Sequence, residues 1–217
     1  MQTTSNRMEQ TAPCIAPERI KHSRNRYITF ARKVYNFENI GIEQTIIESV
    51  QIMKKIGIFF GSSSGTCEDI AGRIAAKLNV AADDVHNVAD ANAASLEQYE
   101  VLLLGGSTWG MGDLQDDWES FLPKAAQCNL NGKKVGLFGC GDSQSYSDTF
   151  CDSLATIKEQ MAGTGCTFVG EVTPKDYSYD ETRCEQNGKL IGLLVDEVNE
   201  SDMTDERIEE WIAALGI

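Results

Sequence analysis

The chain has 217 residues, 41% of them hydrophobic, enough for one globular domain of ordinary size with some chain to spare. Its formal net charge of −14 is unevenly placed: residues 1–52 hold seven Lys/Arg against five Asp/Glu, whereas residues 53–217 hold twelve against twenty-eight, a net −16. A domain this acidic is excluded from binding nucleic acid or an anionic membrane through its bulk field, and is steered instead toward basic protein surfaces. The seven cysteines (Cys14, Cys67, Cys128, Cys140, Cys151, Cys166 and Cys184) contain no C-x-x-C pair, and the two histidines are isolated. Neither a zinc site nor an iron–sulfur cluster has its ligand spacing here. An odd cysteine count without a secretory signal points to reduced thiols and a cytoplasmic location. No apolar run approaches the ~20 residues needed to span a bilayer.

Residues 1–52 are polar and basic and lack the apolar core of a signal peptide. A weak helical pattern runs from Ile40 to Ile52. Met53 then stands directly before "KKIGIFFG", the first convincing strand. The economical expectation is that Met53 is the functional start and that residues 1–52 are an upstream extension; the alternative is a disordered targeting or docking tail. Residues 53–217 are expected to form the folded domain.

From Lys54 the chain alternates. "KKIGIFF" reads as a strand and Cys67–Leu78 as a helix with Ile70, Ile74 and Leu78 on one face. "DVHNVAD" is a short strand and Ala93–Gln98 a short helix. The apolar strand "YEVLLLGG" precedes a helix over "DLQDDWESFLPKAA", and the buried strand "KKVGLFGCG" precedes a helix over Asp148–Met161. "TFVGEV" and "KLIGLLVDE" follow as strands, and Asp205–Leu215 closes the chain as a helix with Ile208, Trp211, Ile212 and Leu215 apolar. Continuous apolar strands separated by helices predict a parallel sheet covered on both faces. A doubly wound α/β domain of five parallel strands fits, with its ligand crevice at the carboxyl ends of the strands.

Three of those ends carry unusual loops. The first, "GSSSGTC" over residues 61–67, places Ser62, Ser63, Ser64, Gly65 and Thr66 between a strand and a helix start. Unpaired backbone N–H groups and the positive end of the helix dipole favour an anion there, and the hydroxyls add donors. No Lys or Arg lies in the loop. The segment alone leaves two readings open: a cradle of neutral donors for a dianion, or a cluster of helix-capping hydroxyls. The second loop, "GGSTWGMGDLQDDW", carries Ser107, Thr108, Trp109, Gly110, Met111 and Gly112; the third, "GCGDSQSYSDTFCD", carries Cys140, Gly141, Asp142, Tyr146, Thr149 and Cys151. Large aromatics in glycine-rich loops fit a stacking slot better than a core. Beside an anion loop, two such rings predict a planar heterocycle bearing a phosphate.

The stretch from Lys54 to Leu215 resembles the flavodoxins, the small FMN-binding electron carriers. "GSSSGTCEDIA" resembles the family's phosphate loop, normally T/S-x-T-G-x-T. "STWGMGDLQDDWESFLP" resembles the loop that puts a tryptophan on one flavin face, and "GCGDSQSYSDTFCDSLATI" the loop that puts a tyrosine on the other. Residues 173–189 divide the last strand, as the insertion of long-chain flavodoxins does. The resemblance implies a flavodoxin-like sheet in the order 2-1-3-4-5 and FMN held by the residues named in the three loops. It further implies a low-potential one-electron shuttle, monomeric, docking on basic surfaces of reductase-type and acceptor partners. A backbone carbonyl in the Trp109–Gly112 turn would rotate to accept the flavin N5–H, which the positive φ open to Gly110 makes cheap; an ordinary tight turn would need the same glycine. Cys67 departs from the pattern, standing where a Thr is usual; its backbone N–H can still face the phosphate, but its thiol is a weaker donor than a hydroxyl, at a cost on the order of 1 kcal/mol.

Two other functions remain to be weighed. A flavodoxin-like NAD(P)H:quinone oxidoreductase would need an open flavin face and usually oligomerises. A phosphate-receiver domain would want an Asp at the end of the third strand, where this chain has Gly105, Gly106, Ser107 and Thr108.

Overall fold

Alternation within the first and third strands decides the architecture. In "IGIFFG", Ile58 and Phe60 point to one face and Phe59 to the other; in "VLLLGG", Leu103 goes with the first set and Leu102 and Leu104 with the second. All six are essentially buried, so both faces of the sheet must be covered. The structure, a computed structural model, describes residues 54–217. The helical pattern read over Ile40–Ile52 and the expectations for residues 1–52 lie outside the described residues.

The parallel strands are β1 (Ile56–Gly61), β2 (Val85–Asn87), β3 (Val101–Trp109), β5 (Lys134–Cys140), and a fifth strand in two pieces, β6 (Thr167–Val169) and β9 (Leu193–Val195). Their order is β2-β1-β3-β5-β6, with β9 pairing β5 beyond β6. This is the expected 2-1-3-4-5 arrangement. Helices α1 (Thr66–Leu78) and α4 (Thr204–Leu215) cover the face holding Ile58 and Leu103. Helices α2 (Asp116–Ala125) and α3 (Ser153–Met161) cover the other. Trp211 and Trp118, both fully buried, fill one face each. Full burial of a large apolar side chain contributes about 1.5–3 kcal/mol.

Three expectations need correcting and a fourth is refined. The helix expected over residues 113–126 starts only at Asp116. Asp113–Leu114 form a short strand, β4, running antiparallel to Thr108–Trp109. Gly110 (φ +52°) and Gly112 (φ +101°) make the reversal, closed by the Gly112 N–H on Trp109 O at 3.1 Å. The helix expected over Asp148–Met161 is confined to Ser153–Met161. Cys151 before it has φ +58°, a left-handed conformation that stops a helix from extending backward. The short helix expected at Ala93–Gln98 is present, as a 3-10 helix opened by the Asn92 side chain accepting from Ala94 N–H at 3.1 Å. The strand over residues 84–90 is only three residues long in the sheet.

The excursion between β6 and β9 carries a two-stranded hairpin, β7 (Glu185–Gln186) with β8 (Lys189–Leu190). Its neck is closed by paired backbone bonds between Val172 and Leu190, 3.1 and 2.8 Å. Arg207 of α4 anchors its base, stacking 3.8 Å over the Tyr177 ring, donating to Asp176 O at 2.6 Å and pairing with Glu200 at 2.7 Å.

Candidate functional site

All three glycine-rich loops leave the carboxyl ends of adjacent strands, β1, β3 and β5, and so share one edge of the sheet. The first runs from Gly61 into α1. Gly65, at φ +89°, is the N-cap of that helix, and no side chain caps it. The Gly65 N–H donates to Ser62 Oγ at 3.1 Å, Ser64 and Thr66 share a hydroxyl contact at 3.3 Å, and Ser63 Oγ accepts from Gln115 Nε2 at 3.2 Å. Ser63 and Ser64 are exposed and Ser62, Gly65 and Thr66 half-buried, so donors remain reachable beside the amides of the first helical turn.

Cys67 is different. Its side chain is fully buried among Ile58, Ile70 and Cys140, and a hydrogen bond with Cys140, then burial, hold its thiol well above the ordinary value. The expectation that this thiol substitutes as a donor at the loop therefore fails: a sulfhydryl packed in the core reaches nothing outside it. Only the Cys67 backbone N–H is left to serve there.

The second loop holds Trp109, 47% exposed, and Met111, 78% exposed. The indole is fixed by Nε1 donating to Ser107 Oγ at 3.1 Å. Ser107 is nearly buried and Thr108 Oγ1 lies 2.7 Å from Ser153 Oγ, so both side chains are committed to holding the loop. The third loop holds Tyr146, 48% exposed. Gly141, Asp142 and Thr149 are half-buried, whereas the side chains of Cys140 and Cys151 are buried and can offer only backbone groups. The turn at Gly112 abuts the third loop: a Cβ built there would come 3.1 Å from Asp152 Cβ and 3.5 Å from Thr149 Cβ.

Several supporting residues escape a sequence reading. Gln115 caps α2 by accepting from Asp117 N–H at 3.1 Å and ties that helix to Ser63. Asp152, 5% exposed, accepts from Thr182 Oγ1 (3.1 Å) and Arg183 N–H (2.7 Å) of the excursion. Thr182 Oγ1 also reaches Phe150 O at 2.6 Å, and the N–H groups of Asp180 and Glu181 reach Ser147 O at 3.0 and 2.9 Å. Asp196, fully buried, binds Ser143 and Asn199. The one local signal was "DEVN", an Asp just past a strand with its carboxylate positioned to close an Asx turn on Val198 and Asn199.

Two carboxylates here ionise unusually easily. Asp142 is held below the ordinary range by the Ser145 backbone N–H above all, against a smaller burial cost, with Asn199 and Gln144 adding to it. For Asp196 burial is the largest single influence and opposes ionisation, but the bonds from Ser143 and Asn199 together outweigh it. Among the described residues no cluster of His, Cys, Asp and Glu could hold a metal ion. Nor is any helix there long and apolar enough to cross a membrane.

A family model described as flavodoxin matches residues 58–211. The chain is 40% identical to flavodoxin 1 of Escherichia coli over 160 residues, covering 73% of this chain and 91% of that protein. It is 36% identical to a flavodoxin of Nostoc over 162 residues, covering 75% and 95%. A solved structure of Fusobacterium nucleatum flavodoxin bound to flavin mononucleotide is similar at a TM-score of 0.68 and 32% identity, covering 74% of this chain and 96% of that one.

Proposed function

The chain belongs to the flavodoxin family, and from that premise we propose which of its residues carry the family's work. The protein is an FMN-dependent electron carrier, an electron-transfer protein without substrate chemistry of its own, and its partners are redox proteins. The quinone oxidoreductase alternative is not favoured. Bound FMN supplies one-electron transfer at the isoalloxazine ring.

The donor set fits a phosphate monoester. Ser62, Ser63, Ser64, Gly65 and Thr66 provide hydroxyls and helix-start amides around a turn in which a Cβ at Gly65 would meet nothing within 4 Å. A dianion is held by neutral donors at the positive end of α1. Trp109 and Tyr146 supply the two aromatic faces. Either ring alone at half exposure would be ordinary, but the two on neighbouring glycine-rich loops beside the anion loop support a flat ligand between them. That pair of half-exposed rings at the sheet edge, beside the neutral anion loop, is the observation that carries the residue assignment. The backbone of Gly110 and Gly112 offers the carbonyls of a turn already in the left-handed region, so a peptide flip costs little.

Charge explains the low potential. Residues 53–217 carry a net −16, which would disfavour added negative charge on bound FMN. Disfavouring that charge makes the reduced protein a strong donor. Stepwise reduction of the purified protein, followed by its absorbance spectrum, tests the reading: a flavin spectrum with two resolved one-electron steps is expected. A protein that neither carries nor takes up FMN overturns it.

Docking follows from the same charge. Asp113, Asp116 and Asp148 are exposed, and Asp117 and Asp142 half-exposed, on the two flavin loops and the start of α2. This acidic rim supports docking on basic partner surfaces. Electron transfer from a reductase is expected to slow as salt rises. Neutralising Asp113 and Asp116 together should lower the association rate more than the maximal turnover, and a salt-independent rate would overturn the electrostatic reading. The six described cysteines are all free, which supports a reducing, cytoplasmic setting.

A further inference from the structure

Asp196 is a fully buried carboxylate with no ion-pair partner among the described residues. It stands one residue beyond β9, where the Gly141 N–H donates to Val195 O at 3.0 Å and the third loop begins. Five donors satisfy it. Oδ2 accepts from Ser143 N–H at 2.8 Å, Ser143 Oγ at 2.6 Å and Asn199 Nδ2 at 2.9 Å. Oδ1 accepts from the N–H groups of Val198 and Asn199, both at 2.9 Å. Asn199 Nδ2 also donates to Asp142 Oδ1 at 2.9 Å, and that oxygen receives Gln144 N–H (3.1 Å) and Ser145 N–H (2.8 Å). The Tyr146 N–H then closes on Asp142 O at 3.1 Å. Ser143 is thus fixed directly by this carboxylate, Asp142 through Asn199, and Gln144, Ser145 and Tyr146 through Asp142 in turn.

We propose that Asp196 is the positioning residue for Tyr146, and that its buried negative charge biases the cofactor site against a second one. The proposal rests on the reading of Tyr146 as a flavin-facing ring. Two arguments carry it. Ser143 is itself fully buried, so the loop cannot shift without leaving both Ser143 and the carboxylate unsatisfied in the core. The charge is held by neutral donors, so no ion pair neutralises it at contact range, and a low-dielectric interior screens it weakly.

The test uses the full chain and two variants, Ser143→Ala and Asp196→Asn. Wild-type protein is first loaded with FMN; failure of that step condemns the carrier reading and leaves this proposal aside from blame. Ser143→Ala removes the hydroxyl donor without changing charge and keeps the backbone N–H, and about fivefold weaker FMN binding is expected, with potentials near wild type. Asp196→Asn removes the charge and sets an amide against donors. It is expected to weaken FMN binding at least as much and to raise the potential of the second one-electron step, which Ser143→Ala leaves in place. If Asp196→Asn does not fold, Asn199→Asp, which adds charge at the hub, is expected to lower that potential instead. Melting points that fall while FMN affinity and both potentials stay at wild-type values would overturn the proposal, because a brace of β9 alone would give that result.

Discussion

The exposed part of the first loop, residues 62–66, makes its side-chain bonds within two or three residues, apart from one reach from Gln115 to Ser63. The loop over residues 141–152 is tied instead to residues 30 to 57 positions away: Thr182, Arg183, Asp196 and Asn199. The difference follows from what each must hold still. In the proposed assignment the first loop would grip a phosphate through backbone amides, and a left-handed Gly65 at the start of α1 would aim them without outside help. A phenol ring on a glycine-rich loop has no such internal frame, and Cys151 behind it sits at φ +58°. A strained residue of that kind persists only where its surroundings over-determine it. Local sequence builds the first loop; distant packing builds the second.

The comparison breaks most visibly through charge at the self-contained loop. Ser64→Asp sets a carboxylate beside a phosphate dianion, a repulsion of roughly 1–4 kcal/mol at effective dielectric constants between water and a protein surface. Titration of the apo protein with FMN should show affinity falling by between about fivefold and a thousandfold, with the apo melting point unchanged. Unaltered affinity would remove residues 61–67 from the phosphate site.

At the braced loop the expected damage is to stability instead. Thr182→Val keeps the volume but strips Phe150 O and Asp152 of a donor and Cys184 N–H of its acceptor. Buried groups left unsatisfied cost about 1–3 kcal/mol, and urea unfolding of the apo protein should register it. An unmoved midpoint would mean the excursion does not brace the loop.

What was readable in the sequence divides along the same line. Strand alternation, the serine loop before a helix period, and Trp109 and Tyr146 in glycine-rich loops are local patterns, and each stands where the pattern put it. The shortened starts of α2 and α3 were not readable, because "DLQDDW" and "SDTFCD" contain nothing that forbids a helix. The β4 pairing and the grip of Thr182 on Phe150 and Asp152 forbid it from outside. Cys67 misled for a similar reason: the motif gives its position, but only the packing of Ile58, Ile70 and Cys140 shows that its thiol turns inward.

Smaller effects sharpen the contrast between the two rings and their supports. Trp109→Ala and Tyr146→Ala should each weaken FMN binding by about 0.5–1.5 kcal/mol beyond the lost contact area, and both should shift the one-electron potentials. Because each ring is half exposed in the structure, the apo melting point should barely move. Potentials that stay fixed in both variants would rule out stacking.

Of the two loops, acid should expose the braced one. Asp142 and Asp196 are held below the ordinary carboxylate range, so their contribution is complete above the unfolded value of about 3.9 and drains away as pH falls through the lower folded values. The urea midpoint of the apo protein should drop steeply below about pH 4, and more gently in Asp196→Asn. Equal slopes would place the acid-labile carboxylates elsewhere.

The closed neck at Val172 and Leu190 has an evolutionary consequence. The chain leaves the sheet after β6 and rejoins it at β9 on the same side of β5, so the length of the intervening excursion is decoupled from sheet register. Doubling such a loop adds only about 0.6 kcal/mol of closure entropy. The tip at Asn187 and Gly188, exposed and already left-handed at φ +56° and +73°, is where a lineage could splice in new sequence while leaving the five-strand order untouched.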